Sequence, residues 1–418
     1  MLNVIHHGVR VGCLTTDGRE LTFAYSAAWL DKADAFALMP TLPLREAPYR
    51  GDVVSSFFAN LLPEGHTLEA LCRLQRLPRG NIYRILEAFG DECAGAFEVV
   101  TSDNAIPPKA PHYLPYTKEA LASDLSYSRD RVPLLQRHGE LRLSLAGAQN
   151  KMPVFYRDGE LFLPANGAPS NFILKPALQP ERMFPDSVAN EAVSLLLARA
   201  VGIPVPDAYV ITDPEPFLLI QRYDRVERAD GVVRLHQLDF CQLTGVLPEH
   251  KYEGDGGPGF KAVFDVIDRH SELPAVDRLQ LVDWLLFNFV IGNADAHGKN
   301  VSLLCRPDGR WRLAPAYDLL SLTYWPQLSQ NMAMAIGGEK RPAWIMTRHW
   351  HRLCDSIGLN VSQLRRRALA LAESATRQLP GIVDSLGGVA SPRLAESLHR
   401  TIEQRAGWLH VRLTTDAG

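Results

Sequence analysis

Between Ile291 and Leu304 the chain reads IGNADAHGKNVSLL, crowding an aspartate, a histidine, a lysine and two asparagines between two apolar runs. The segment DRLQLVDWLLFNFVIG leads in with the pattern of a buried helix, and Gly292 is placed to end it. The strand-like VSLL leads out, so Asp295 and Asn300 sit five apart on one loop anchored at both ends. A second carboxylate, Asp318, lies in APAYDLLS just after the strand-like RWRLA, and a hairpin between the two strands returns it to the side of Asn300. This set suits phosphoryl transfer. One carboxylate positions and deprotonates an acceptor hydroxyl, while an amide oxygen and a second carboxylate hold Mg²⁺ against the phosphates of ATP, because hard oxygen ligands match that ion. A solvated turn is the plain alternative.

The Asp-to-Asn spacing equals that of the protein-kinase catalytic loop, H-R-D-x-x-x-x-N, which a metal-binding aspartate also follows. Such chemistry asks for a cation on the α- and β-phosphates, presented by a strand and oriented by a glutamate. Lys175 in NFILKP and Glu191 on the next helix are the candidates, against the simpler view of Lys175 as a solvated charge. In RLSLAGAQNKMPVFY, the small residues Ala146, Gly147 and Ala148 let backbone N–H groups approach phosphates, and Ser144 and Lys151 flank them. The loop is not a Walker A sequence, and a merely structural turn is its alternative. His297 shares the loop with Asp295 and is expected to orient or support it before carrying protons; the other histidines, including His6 and His7, read as surface or hydrogen-bonded residues. No nucleophile elbow, H-E-x-x-H helix or G-x-G-x-x-G fingerprint occurs.

The elements that must position these residues fall into a strand-rich and a helical part. VIHHGVRVGCLTTDGRELTFAY predicts short strands with a turn at Asp17-Gly18, followed by helices around VVSSFFANLLPEGHTLEALCRL and GNIYRILEAF. Four prolines in IPPKAPHYLPY, residues 106–116, predict a boundary or covering strap without regular structure. MPVFYRDGELFLP predicts a hairpin turning at Asp158-Gly159, and NFILKP a short strand. SVANEAVSLLLARAVG predicts a helix with an apolar stripe of Val193, Leu196, Leu197 and Ala200, capped by Asp186 or Ser187 and ended by Gly202. DAYVITDPEPFLLIQRYDR predicts two more strands, and from about residue 276 the chain turns largely helical. We find no internal repeat or low-complexity tract.

At 418 residues the chain is long enough for two or three packed units, and 46% hydrophobic with 22% charged residues is a globular composition. A net charge of -3 suits poorly a protein that grips nucleic acid unaided, though a basic patch or a partner could reach DNA. The same balance weighs against a metal-dependent nuclease built on Asp295, His297 and Asp318. Six scattered cysteines without a C-x-x-C pair argue against a zinc site or disulfide framework and fit a reducing cytoplasm. Neither a signal peptide nor a membrane span is legible.

In their order along the chain, SLAGAQNK, FILKP, the Asn190-Glu191 pair, QRYDR, HQLDFCQLTG, KYEGDGGPG, NADAHGKN and APAYDLLS resemble the HipA serine/threonine kinase toxins of bacterial type II toxin–antitoxin operons. FFANLLPEG and FGDECAGAFEVV resemble that family's N-terminal subdomain. The resemblance spans essentially the whole chain. It implies an α+β, two-lobed, protein-kinase-like fold: an N-terminal subdomain over residues 1–105, a kinase-like N-lobe over 106–275 and a helical C-lobe over 276–418. It also implies ATP, Mg²⁺ and protein substrates, which for studied members are aminoacyl-tRNA synthetases. By motif, Asp295 is the catalytic aspartate, Asn300 and Asp318 are metal ligands, and Lys175 is the ATP lysine with Glu191 as partner. Ala146, Gly147, Ala148, Lys151, His297 and Lys299 join the nucleotide site, QRYDR is the hinge where Gln221 to Tyr223 meet adenine, and Ser144 is the autophosphorylated serine. The family's usual partner is a small helix-turn-helix antitoxin that binds operator DNA and carries the toxin with it.

Two departures stand out. Asn150 and KMPV replace the glutamate and KTAL-like continuation common in the family's phosphate loop, and Gln221 begins the hinge where glutamate is frequent. An antitoxin-binding co-repressor with little kinase activity is the alternative, but a pure scaffold has no physical need for Lys175, Asp295, Asn300 and Asp318 together.

Overall fold

The computed structural model describes residues 1–90, 93, 95–101, 111–129, 150–165, 167–229, 231–306 and 309–414. Period-two patterning near the N-terminus resolves into a five-stranded antiparallel sheet in the spatial order Tyr49–Arg50, Leu21–Tyr25, Val9–Thr16, Leu2–His6, Glu98–Thr101. Helices Asp52–Ala59 and Ile82–Phe89 pack on it. The helical stretch expected beyond residue 52 is two helices, Asp52–Ala59 and Gly65–Leu74, and the break between them carries Asn60 and Glu64 to the central cleft.

A six-stranded antiparallel sheet follows, ordered Ala208–Ile211, Phe217–Gln221, Phe172–Pro176, Met152–Arg157, Glu160–Ala165, His112–Pro115. Its hairpin turns where predicted, with Asp158 and Gly159 both at positive φ (52° and 88°), as a type I′ turn requires. The expectation that prolines exclude regular structure around 106–116 is corrected in part: His112–Pro115 pairs with Glu160–Ala165 at the sheet edge, where a missing N–H is tolerated. Residues 106–110 of that stretch lie outside the described residues.

Strand alternation decides what each face of this sheet does. Phe172 and Leu174, with Met152, Val154, Phe217 and Leu219, enter a small core that Leu121 and Leu125 of the Lys118–Arg129 helix cover. Ile173 and Lys175 consequently face the other way, into the cleft. Behind them the Ser187–Ala200 helix is buried on nearly every side, from Ser187 through Leu195 and again at Leu197 and Ala198, because it lies between the sheet and the long helix Val361–Ser385. Of the stripe read from its sequence, Val193 and Leu197 are buried, Leu196 is half-buried and Ala200 is exposed, while Val188, Ala192 and Leu195, outside that stripe, are buried. Its cap also differs. Asp186 makes no capping bond and instead accepts from Tyr324 and Ser391, while Ser187 Oγ accepts from the Leu178 N–H.

The remaining chain is mainly helical, with Phe260–His270, Pro274–Ile291, Thr347–Ile357, Val361–Ser385 and Pro392–Thr414 as its main members. The VSLL and RWRL segments form the expected antiparallel pair, Ser302–Cys305 with Trp311–Leu313, and Gln237–Asp239 joins as a third strand. One contiguous apolar core runs from Leu2 to Leu413 and joins the first sheet to the helical part.

Candidate active site

The loop that raised the question is built as its sequence implies. The Pro274–Ile291 helix ends at Gly292, whose φ of +76° suits glycine and whose missing side chain leaves room for Thr323, 2.6 Å from where a Cβ would stand. Beyond it, Asn293 Oδ1 accepts the Asp295 N–H at 3.1 Å, and the Asp295 carbonyl accepts the N–H of His297 at 2.8 Å and Nδ2 of Asn300 at 2.9 Å. The last bond engages the Asn300 amide nitrogen, so the amide oxygen is the atom of that cleft-lining side chain with the chemistry of a ligand. Asp318 follows the hairpin at φ +51°, a left-handed conformation sparse for residues other than glycine, and such strain concentrates at functional positions.

Opposite stands Lys175, its ammonium 2.6 Å from Glu191 Oε1 and 2.5 Å from Asp318 Oδ1. Lys175 and Glu191 are both buried. Burial works against charge on each member of this trio, but the two carboxylates keep Lys175 protonated, and the Lys175 and Lys151 ammoniums hold Asp318 well below the usual carboxylate range. Lys151 lies half-buried at the same cleft, where burial first, then the Lys175 charge, outweigh the attraction of Asp318 and lower its pKa to about 8. Ser144, Ala146, Gly147 and Ala148 lie outside the described residues.

The structure gathers Lys151, Lys175, Gln221, Tyr223, Asp295, His297, Lys299, Asn300 and Asp318 around one cleft; Glu191 reaches it through Lys175. The donor set fits a magnesium nucleotide: the Asn300 amide oxygen and Asp318 carboxylate are hard oxygen donors of the kind that ion takes, and Lys175 is a buried cation beside Asp318. At the hinge, the N–H groups of Gln221 and Arg222 already donate to the Asp207 and Asn171 carbonyls, at 2.8 and 2.9 Å. Tyr223 stacks on Tyr317 with centroids 5.5 Å apart and donates its hydroxyl to Gln237.

Two loop residues act as supports. His297 Nδ1 accepts the Lys299 N–H at 3.2 Å, and burial lowers its pKa to about 4 against the pull of Asp295, so the ring is neutral near pH 7. Lys299 donates to Asn60 O at 3.1 Å, Asn60 Oδ1 at 2.7 Å and Asp239 Oδ2 at 2.9 Å, which engages all three of its protons. That arrangement anchors the loop and leaves no proton for a phosphate.

Sequence reasoning assigned no role to several residues that complete the site. Asn60 and Glu64 arrive from the N-terminal unit, and Glu64 Oε2 accepts from Lys251 at 2.7 Å. The Tyr252 hydroxyl donates to Asp295 Oδ1 at 2.7 Å. Asp224 is clamped by the Arg222 and Arg225 guanidiniums, with three contacts of 2.8 to 2.9 Å, which stiffens the hinge. Asn190 exchanges two bonds with the Ser321 backbone, at 3.0 and 2.8 Å, tying the Glu191 helix to the segment after Asp318. Each lies in or beside a motif quoted above; Asp224 finds its partners within QRYDR itself, whereas the partners of Asn60, Glu64, Tyr252 and Asn190 are remote in the chain.

The HipA-like C-terminal domain matches residues 143–379 and the HipA N-terminal domain matches residues 2–100. Y4mE of Sinorhizobium fredii, a protein named as a kinase, is 39% identical over 393 residues, 92% of each chain. The serine/threonine-protein kinase toxin HipA of Shewanella oneidensis is 29% identical over 380 residues, 85% of each chain. The solved complex of HipA, HipB and operator DNA from that organism superposes with a TM-score of 0.82 at 26% identity, covering 100% of both chains. With a sheet-rich first part, a helical end and a protein-kinase-like fold, the chain is a kinase and belongs to the HipA family.

Proposed function

We propose that the chain is an ATP- and Mg²⁺-dependent serine/threonine protein kinase and the toxin of a two-protein toxin–antitoxin pair. The observation that carries this reading is the Lys175 ammonium held between Glu191 and Asp318 across the cleft from Asp295 and Asn300. In this reading Lys175 meets the α- and β-phosphates, and Asn300 and Asp318 hold the metal, which when bound neutralises charge on the phosphates. The acceptor hydroxyl gives its proton to Asp295 as its oxygen bonds to the γ-phosphorus; the bond from that phosphorus to the bridging oxygen breaks, and ADP leaves.

The finer assignments rest on the family. The acceptor is a translation protein of the aminoacyl-tRNA synthetase class, and the chain phosphorylates itself on Ser144, adding nearly two negative charges beside the nucleotide and shutting the enzyme off. Its antitoxin is a HipB-like helix-turn-helix protein, through which a chain of net charge -3 reaches operator DNA; the likeness to the Shewanella oneidensis complex supports this. Among the described residues no helix is long and apolar enough to cross a membrane, and a cytoplasmic setting accords with six free cysteines.

The test is incubation with γ-labelled ATP and Mg²⁺, alone and with cell extract, for wild type, Asp295→Asn and Ser144→Ala. Wild type should incorporate label at Ser144 and Asp295→Asn should not; Ser144→Ala should label other proteins without losing activity over time. No transfer by wild type sinks the enzyme reading in favour of the co-repressor, and equal shut-off in Ser144→Ala sinks the switch.

A further inference from the structure

The two carboxylate oxygens of Asp295 are not equivalent. Oδ1 accepts the Tyr252 hydroxyl at 2.7 Å, whereas Oδ2 lies 4.0 Å from His297 Nε2, beyond hydrogen-bond reach. Tyr252 is itself held from several sides. Its ring meets His297 edge-on, centroids 5.1 Å apart at 87°, and the Lys251 ammonium stands 5.5 Å from the ring centre. Its carbonyl accepts the N–H groups of Asp255 and Gly257, both at 2.9 Å. Gly257 fits only without a side chain, since a Cβ there would stand 2.4 Å from the His250 carbonyl. Lys251 is in turn fixed by Glu64 at 2.7 Å. Burial, then the Asp295 charge, keeps the phenol protonated, so it donates.

We propose that Tyr252 is a positioning residue for the transfer: by occupying Oδ1 it fixes the rotation of the Asp295 carboxylate and presents Oδ2 to the acceptor hydroxyl. The inference rests on the kinase reading above. An untethered carboxylate samples rotations in which neither oxygen lies along the acceptor's O–H, and reaction needs the aligned one. The Tyr252 hydroxyl removes that freedom before an acceptor arrives, and the Lys251–Glu64 pair extends the support into the N-terminal unit.

Tyr252→Phe deletes the oxygen and keeps the ring with its contacts to His297 and Lys251. With γ-labelled ATP and Mg²⁺, the rate of self-labelling at saturating ATP should fall about tenfold to a hundredfold. The half-saturating ATP concentration should change by less than about twofold, and thermal unfolding should match wild type. A wild-type rate in Tyr252→Phe, with normal transfer by wild type, overturns this proposal alone, as does a loss confined to ATP affinity. Label recovered on Tyr252 itself overturns it too, by making the hydroxyl an acceptor. Absence of transfer by wild type overturns the kinase reading along with it.

Discussion

Lys175 faces two carboxylates in a place with little water, and the consequences of removing each partner differ. Replacing Lys175 by methionine removes the cation bonded to both Glu191 and Asp318 and leaves only the Lys151 charge nearby, so transfer should fall by about a hundredfold or more. Glu191→Gln keeps size and one hydrogen bond while Asp318 still pairs the ammonium; it should cost about 1–2 kcal/mol of stability and a smaller share of rate. Comparing the two in labelling and chemical denaturation decides the matter, and a Glu191→Gln enzyme slower than Lys175→Met would refute the assigned hierarchy. At this scale the residues legible in sequence were those whose meaning is local. Asp295 and Asn300 share a loop, and Lys175 ends an apolar strand. Tyr252 and Asn60 were not legible, because they act on partners 43 and 239 positions away, a separation that neither spacing nor periodicity encodes.

At the scale of elements, the loop that carries Asp295 is pressed between neighbours at its glycines. A Cβ at Gly298 would stand 2.5 Å from Pro258 Cγ and 3.0 Å from Cys241 Sγ, so Gly298→Ala must displace the loop or the segment carrying Tyr252. We expect a fold retained at reduced stability and a transfer rate lowered about tenfold to a hundredfold, with nucleotide binding less affected because Lys175 sits on a different element. Titration with a fluorescent ATP analogue beside the labelling assay checks this, and an unaltered rate would contradict the packing argument. Hairpins and strands were read well from turn chemistry at Asp158-Gly159 and from alternation in FILKP. The Ser187–Ala200 helix was given a single apolar stripe because the Val361–Ser385 helix, which packs on it as well, is more than 160 residues downstream. Prolines around residue 112 misled for a related reason: an edge strand tolerates what a central one does not.

For the whole molecule, burial of histidines predicts how the fold meets acid. Burial lowers the pKa of His6 to about 3, helped by His7, and that of His236 and His297 to about 4. Each would titrate near 6.5 in the unfolded chain, which therefore binds protons that the folded chain refuses. Stability from these groups is complete above pH 6.5 and drains away as pH falls from 6.5 toward 4. The melting temperature should drop clearly between pH 7 and pH 5, and His236→Gln should flatten that dependence; an equal melting temperature at the two values would show that these rings take up protons without unfolding. The first sheet belongs to this same cooperative body, since its apolar side chains join the core that reaches Leu413. Lys299 adds a polar fastening to that union, committing every proton to Asn60 and Asp239. Loop and N-terminal unit are thus tied by direct contacts. A protein docking on the outer face of that unit would press on the loop that carries Asp295 without touching it.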